Sequence, residues 1–429
     1  MKKSLLALAV LGAFAGAAQA QSSVTIYGIV DTGITYTSKV GSVAGTPQAT
    51  ATGSRFGLNS GILQGSRIGF KGVEDLGGGL SAVFNLEAGF QNDTGAMQGA
   101  DASTPSSLFR RKSVVGLQGG FGAVLAGRQT DILDDIGGSM TGVGDFGGVI
   151  SNVGSGLSRL QGTRTNNSIR YNTNNLGGFT GSLIYGFGET AGSASAGQAW
   201  GLGGKYENGP LALAAAYYQA KANGASTLNN AGAADTSITS TTLNSAYANP
   251  NVSGTVLKTW TLAAAYQIGA AKIYGNWSRV KQPGAAATGY GSFAAASAAP
   301  ANFLGSTSGT VAPNAGSNTG YTIGGSNMDK ADLFELGGNY ALSPSLKLLA
   351  SVQHSRLNFV GADSKGKLTQ INLGTDYWLS KRTDIYAFLS NLRASNAYNP
   401  GIGASSIGSA PSGADASQTA VSVGIRHKF

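Results

Sequence analysis

The residues most capable of chemistry in this sequence are charged, and they crowd between Leu108 and Tyr171. Arg110, Arg111 and Lys112 come first, then Arg128, then Asp131, Asp134, Asp135 and Asp145 in a Gly-rich run, then Arg170. Clustered carboxylates could bind a divalent cation, but the ligand spacing of a calcium-binding loop is absent and no metal is expected. His354 and His427 are isolated and the chain has no cysteine, which removes zinc sets, thiol nucleophiles, disulfides and cysteine-linked lipid anchors. No Ser/His/Asp set or acid pair can be assembled, so neither an enzyme nor a cofactor is expected. Gly77-Gly78-Gly79 could cradle a phosphate at a helix start, yet it joins two strand-like runs and reads as a turn.

The elements that position these charges follow from compartment and periodicity. Residues 1–20 carry Lys2-Lys3, an apolar run from Leu5 to Phe14 and Ala18-Gln19-Ala20, the layout of a cleaved export signal. A mature chain from Gln21 then forms a single domain, 21–429. Loss of Lys2 and Lys3 lowers the formal charge from +9 to +7. Behind an export signal, Arg110-Arg111-Lys112 meets solute anions or lipid phosphates, and nucleic acid is not an expected partner. Glycine is 67 of 429 residues and charged residues only 11 %, against about 25 % in ordinary soluble domains. Too little charge remains for a water-exposed surface.

Period-two alternation recurs along the whole chain. Val24, Ile26, Gly28, Val30, Ile34 and Tyr36 oppose Thr25, Asp31 and Thr35; Ala82, Phe84, Leu86 and Ala88 oppose Ser81, Asn85 and Glu87; Arg67 and Lys71 oppose Ile68 and Phe70. The same holds for 179–187, 200–207, 259–268, 370–379 and 421–429, whereas 112–117, 123–128, 211–219 and 383–392 leave their faces open. Seven short turns alternate with eight long loops at 37–54, 91–108, 129–166, 190–198, 220–257, 282–329, 356–367 and 393–417. That spacing predicts an all-β fold: a 16-stranded antiparallel transmembrane β-barrel with short periplasmic turns and long extracellular loops. Rings such as Tyr36, Trp200, Tyr206, Trp260 and Tyr377 near strand ends suit the two lipid interfaces. A barrel of this size keeps an aqueous interior. A secreted or surface β-rich adhesin is the competing reading, without the fixed repeat period of a solenoid.

Particular motifs also carry a resemblance. Ser23-Val-Thr-Ile-Tyr-Gly-Ile-Val-Asp31, Ser66-Arg-Ile-Gly-Phe-Lys-Gly-Val-Glu-Asp-Leu-Gly-Gly-Gly-Leu80, Gly119-Gly-Phe-Gly122, Leu125-Ala-Gly-Arg-Gln129, Asn167-Ser-Ile-Arg-Tyr171 and Val423-Gly-Ile-Arg-His-Lys-Phe429 resemble the general porins of β-proteobacteria. The resemblance implies a homotrimeric porin of the Gram-negative outer membrane, passing small hydrophilic solutes and ions by passive diffusion. It makes 129–166 the inward-folded constriction loop, with Asp131, Asp134, Asp135 and Asp145 facing basic wall residues. The candidates there are Arg67, Lys71, Arg110, Arg111, Arg128 and Arg170, of which alternation directs Arg67, Lys71 and Arg170 to the polar face. Phe429 would be part of the signal read by the barrel-assembly machinery, and outer-membrane lipid and lipopolysaccharide the surrounding partners. The positive charge leans toward a weak anion preference, unless the arginines only pair with loop aspartates or sit near lipopolysaccharide phosphates. A substrate-specific channel is the alternative within the same architecture.

Overall fold

The computed structural model describes residues 23–40, 53–97, 108–147, 164–189, 191–195, 197–221, 256–281, 328–359, 365–395, 402 and 417–429. Residues 1–20 and nearly all of 220–257 and 282–329 lie outside the described residues.

The described strands are β1 (Ser23–Val40), β2 (Gly53–Ser60), β3 (Arg67–Gly77), β4 (Leu80–Gly89), β5 (Lys112–Gly119), β6 (Gly122–Thr130), β7 (Arg164–Asn172), β8 (Phe179–Gly186) and β9 (Ala199–Asn208). They continue with β10 (Leu211–Lys221), β11 (Val256–Ile268), β12 (Ala271–Lys281), β13 (Met328–Ser343), β14 (Leu346–Phe359), β15 (Lys365–Trp378), β16 (Thr383–Ser395) and β17 (Ser417–Lys428). From β3 onward each pairs antiparallel with the next, and β17 returns to β1 from Ile29↔Lys428 to Thr37↔Ala420. The other edge of β1 pairs with β3 through Ser23–Ile29 and with β2 through Thr32–Val40. β2 and β3 are therefore two halves of one stave, broken at 61–66, and the seventeen strands make a closed barrel of sixteen staves. Closure leaves no open sheet edge, so every backbone group in the hydrocarbon can be bonded.

The strands outrun the alternation that predicted them. β1 continues to Val40, β7 begins at Arg164 instead of Ser168, and only 360–364 separate β14 from β15. Apolar alternation marks the part of a stave that touches lipid, whereas the hydrogen-bond ladder continues past it into water. The break at 61–66 was not expected either, because its residues carry no proline or charge that announces an interruption.

The apolar face points outward. Ile26, Leu58, Val115, Leu183, Leu262, Leu336, Ile371 and Val423 are exposed on the outer surface, while Asp31, Thr35, Thr261, Ser351, Asn372 and Ser422 are buried on the inner one. Trp200, Tyr217 and Trp260 adjoin on the outside near the long-loop rim, with ring centroids 5.0 and 5.2 Å apart. Phe179, Tyr266, Tyr340 and Tyr377 are exposed toward the short-turn rim. Phe429 completes that rim: its N–H donates to Gly28 O at 3.1 Å and its carbonyl accepts from Gly28 N at 3.0 Å. Its ring lies over Gly28, where a Cβ would stand 2.2 Å from the ring Cζ.

Candidate functional site

The described part of the third long loop, 131–147, lies inside the barrel and carries regular structure. It forms α1 (Ile132–Gly137), a 3-10 turn (Gly138–Met140) and α2 (Val143–Phe146). Asp131 starts α1 by accepting the Leu133 N–H at 2.9 Å, which satisfies one of the orphan donors of a helix start. Ile132, Leu133, Ile136 and Met140 form one apolar cluster with Ile184, Ala199, Ala214, Ala216, Tyr218, Ala263 and Tyr274 on the inner faces of β8 to β12. The wall makes room by staying small. A Cβ on Gly201 would come within 2.8 Å of Ile132 Cγ2, and one on Gly203 within 2.6 Å of Ile136 Cδ1. Small residues at every second position of β9 and β10 were the available sequence signal for this seat, and they are also why 211–219 gave no clear face.

Beyond α1 the loop is held by polar contacts across the lumen. Lys272 Nζ donates to Ser139 O at 2.9 Å. Glu335 on β13 accepts the Gly142 N–H at 3.0 Å through one oxygen and Asn276 Nδ2 at 2.6 Å through the other. Asn339 Nδ2 lies 3.0 Å from each carboxylate oxygen of Asp145. Phe146 then inserts beside Ile62, Leu63, Tyr386 and Phe388.

A basic sector occupies the staves from β3 to β7, beside those that seat α1. Register places Arg67 and Lys71 on the inner face of β3 with Tyr27, Asn85 and Glu87 as neighbours. Lys71 Nζ stands 5.6 Å above the Tyr27 ring, and the Tyr27 hydroxyl contacts Asn85 Oδ1 and Glu87 Oε2, each at 3.0 Å. Arg111 Nε meets Glu87 Oε1 at 2.6 Å, and Arg164 Nε donates to the Arg111 carbonyl at 2.7 Å. Arg67 is within electrostatic reach of Arg111, Arg164 and Glu87. Arg128 bridges the Arg110 carbonyl and Asn166 at the rim. Arg170, largely buried, is fixed by Asn172 Oδ1 at 2.8 Å and Ser182 Oγ at 3.1 Å and pairs with the exposed Asp135.

The four loop aspartates therefore part company. Asp135 meets the basic sector through Arg170, and Asp134 is half-buried beside it on α1. Asp131 is fully buried as a cap, and Asp145 turns to Asn339 on β13. Asp131 serves as a helix cap, and the expectation of facing the basic wall is corrected for Asp145, because an amide on β13 sits against both of its oxygens. Sequence reading missed Arg164, which sits in the hydrophilic run Gly162-Thr-Arg-Thr-Asn-Asn167 without alternation, and Glu335, whose role requires a loop almost two hundred positions away. Glu87 was already on the polar face of its strand; its contact with Arg111 came only from the pairing of β4 with β5.

Comparison with known proteins agrees with this architecture. Residues 7–397 match the Gram-negative porin family. The chain is 32 % identical over 445 residues to an outer membrane porin protein of Bordetella pertussis and 33 % identical over 447 residues to outer membrane porin protein 32 of Delftia acidovorans, with 100 % of both chains covered in each case. Among solved structures, an anion-selective porin from Comamonas acidovorans superposes with a TM-score of 0.66 at 28 % identity, covering 95 % of this chain and 100 % of that one. An outward apolar face, a polar interior and a loop folded into the lumen are what such a channel requires, and the chain belongs to the Gram-negative porin family: it is an outer-membrane β-barrel that passes small hydrophilic solutes by passive diffusion.

Proposed function

We propose that the channel narrows between α1 and the basic sector, and that it prefers anions weakly. Arg67, Lys71, Arg110, Arg111, Arg128, Arg170 and the added Arg164 form one side. Asp134 and Asp135 face them, while Asp131 and Asp145 hold the loop that carries them. The observation that carries the reading is the gathering of Arg67, Lys71, Arg111 and Arg164 beside Tyr27 and Glu87 on the inner wall. A unit charge about 8 Å from a passing ion contributes about 0.5 kcal/mol at the dielectric of water and about 2 kcal/mol at an effective value near 20. That biases ions without trapping them. The anion-selective porin of similar fold supports the same sign. Reversal potentials across planar bilayers in a KCl gradient test it: the expected sign is that of chloride, and a clear potassium preference would refute the proposal.

The same reading includes export through cleavage after residue 20, recognition of Phe429 during barrel assembly, lipopolysaccharide around the rim, and a homotrimer. A trimeric form is described for OmpT of Vibrio cholerae, which shares the fold. Chemical cross-linking of the detergent-extracted protein should give a three-subunit limit, and a monomer alone would remove that element.

A further inference from the structure

We infer that Asp31 is a positioning residue for the constriction loop, acting through the inward break at 61–66. This rests on the reading that the loop sets the pore. Asp31 is fully buried and touches no residue of the basic sector described above. Its Oδ2 accepts the backbone N–H of Leu63 at 3.1 Å and of Gln64 at 2.6 Å, and its Oδ1 accepts the Tyr386 hydroxyl at 2.6 Å. Its own backbone carbonyl accepts the Gly61 N–H at 2.7 Å, and its N–H donates to Ser66 Oγ at 3.1 Å. One residue of β1 thus gathers both ends and the middle of the segment where the neighbouring stave leaves the ladder.

The folded-in segment forms a ledge. Ile62 and Leu63 are buried there together with Phe146, Tyr386 and Phe388. Phe146 lies 5.5 Å from Phe388, and Phe388 stacks on Tyr386 at 4.9 Å. Gly147 passes so close that a Cβ would fall 1.7 Å from the Leu63 carbonyl, in a backbone with φ of +56°. Phe146 and Gly147 therefore rest on a surface that exists only because a stretch of barrel leaves the strand ladder and is bent inward. A carboxylate is suited to that bend. It offers several lone-pair sites without presenting a donor of its own, and its bonds to N–H and O–H groups are of the stronger, charge-assisted kind.

The experiment uses the full-length chain, which has no native cysteine. Gly144→Cys, at an exposed loop position where a Cβ meets nothing within 4 Å, takes a nitroxide label. Electron paramagnetic resonance in lipid vesicles is then compared with single-channel conductance for Asp31→Ala and Asp31→Asn. Asp31→Ala is expected to lose the immobile spectral component and to raise conductance. Asp31→Asn, which keeps an acceptor for Leu63 and Gln64, is expected to restore both. A label as immobile in Asp31→Ala as in the parent, or as mobile in Asn as in Ala, overturns the inference. A mobile label with unchanged conductance upholds the ledge and removes the constriction reading instead. Should Asp31→Ala fail to assemble, Tyr386→Phe deletes one of the three side-chain bonds. It is expected to loosen the label less but in the same direction, and no change there overturns the inference as well.

Discussion

Arg67, Arg111 and Arg164 sit within reach of one another around Glu87, so each shares its neighbours' field and none can be exchanged without altering the potential felt by a passing ion. Arg164→Gln is expected to lower the chloride-to-potassium permeability ratio about 2- to 5-fold, equivalent to about 0.5–1 kcal/mol at a solvated wall. Reversal potentials read it directly. Glu87→Gln removes the opposing charge and is expected to move the ratio the other way. Both effects should shrink as salt rises toward about 1 M, where the screening length falls to about 3 Å. A shift that survives high salt would mean a change of pore shape instead of field.

At the scale of the element, the constriction loop is held by matched surfaces more than by its own helices, which are too short to persist alone. Ile136 is buried between α1 and the glycine and alanine face of β9 and β10. Ile136→Ala leaves a cavity expected to cost about 2–5 kcal/mol of seating energy, and current noise in the open channel should increase while the barrel stays intact. Ala216→Leu attacks the same seat from the wall: overpacking of about 1–3 kcal/mol should displace α1. Protease added to the purified porin should then cut within 131–147 faster than in the parent.

For the whole molecule, stability comes from a closed ladder with an apolar exterior, and the two contributions respond to different changes. Leu262, mid-strand on β11, is 54 % exposed on the outer face. Leu262→Arg places a charge in the hydrocarbon and is expected to cost about 2–4 kcal/mol in folding equilibria measured by urea titration in lipid vesicles. Thr261, its neighbour on the inner face, hydrogen-bonds Ser278 at 2.9 Å. Thr261→Ala should cost only about 1 kcal/mol there, the usual worth of one such bond. Equal costs at the two positions would contradict the assigned orientation of β11.

Much of this design was legible in the residues alone. Side chains on a strand alternate faces because of local backbone geometry, so Ile26 against Asp31, or Leu262 against Thr261, disclosed which face meets lipid without knowledge of any partner. The order of short and long connections disclosed the number of staves in the same way. The loop's support was of another kind. Asp31 bonds Tyr386 across 355 positions, Glu335 reaches Gly142 across 193, and Phe146 finds Ile62 through a break marked in the sequence only by Gly61 and Gly65. Such contacts depend on closure, which alone brings the first stave beside the last and sets both against a loop hung from the sixth strand segment. Periodicity is a property of neighbours along the chain and survives in the sequence; the ledge, the seat and the charged sector are properties of neighbours across a cylinder, and only the folded barrel creates them.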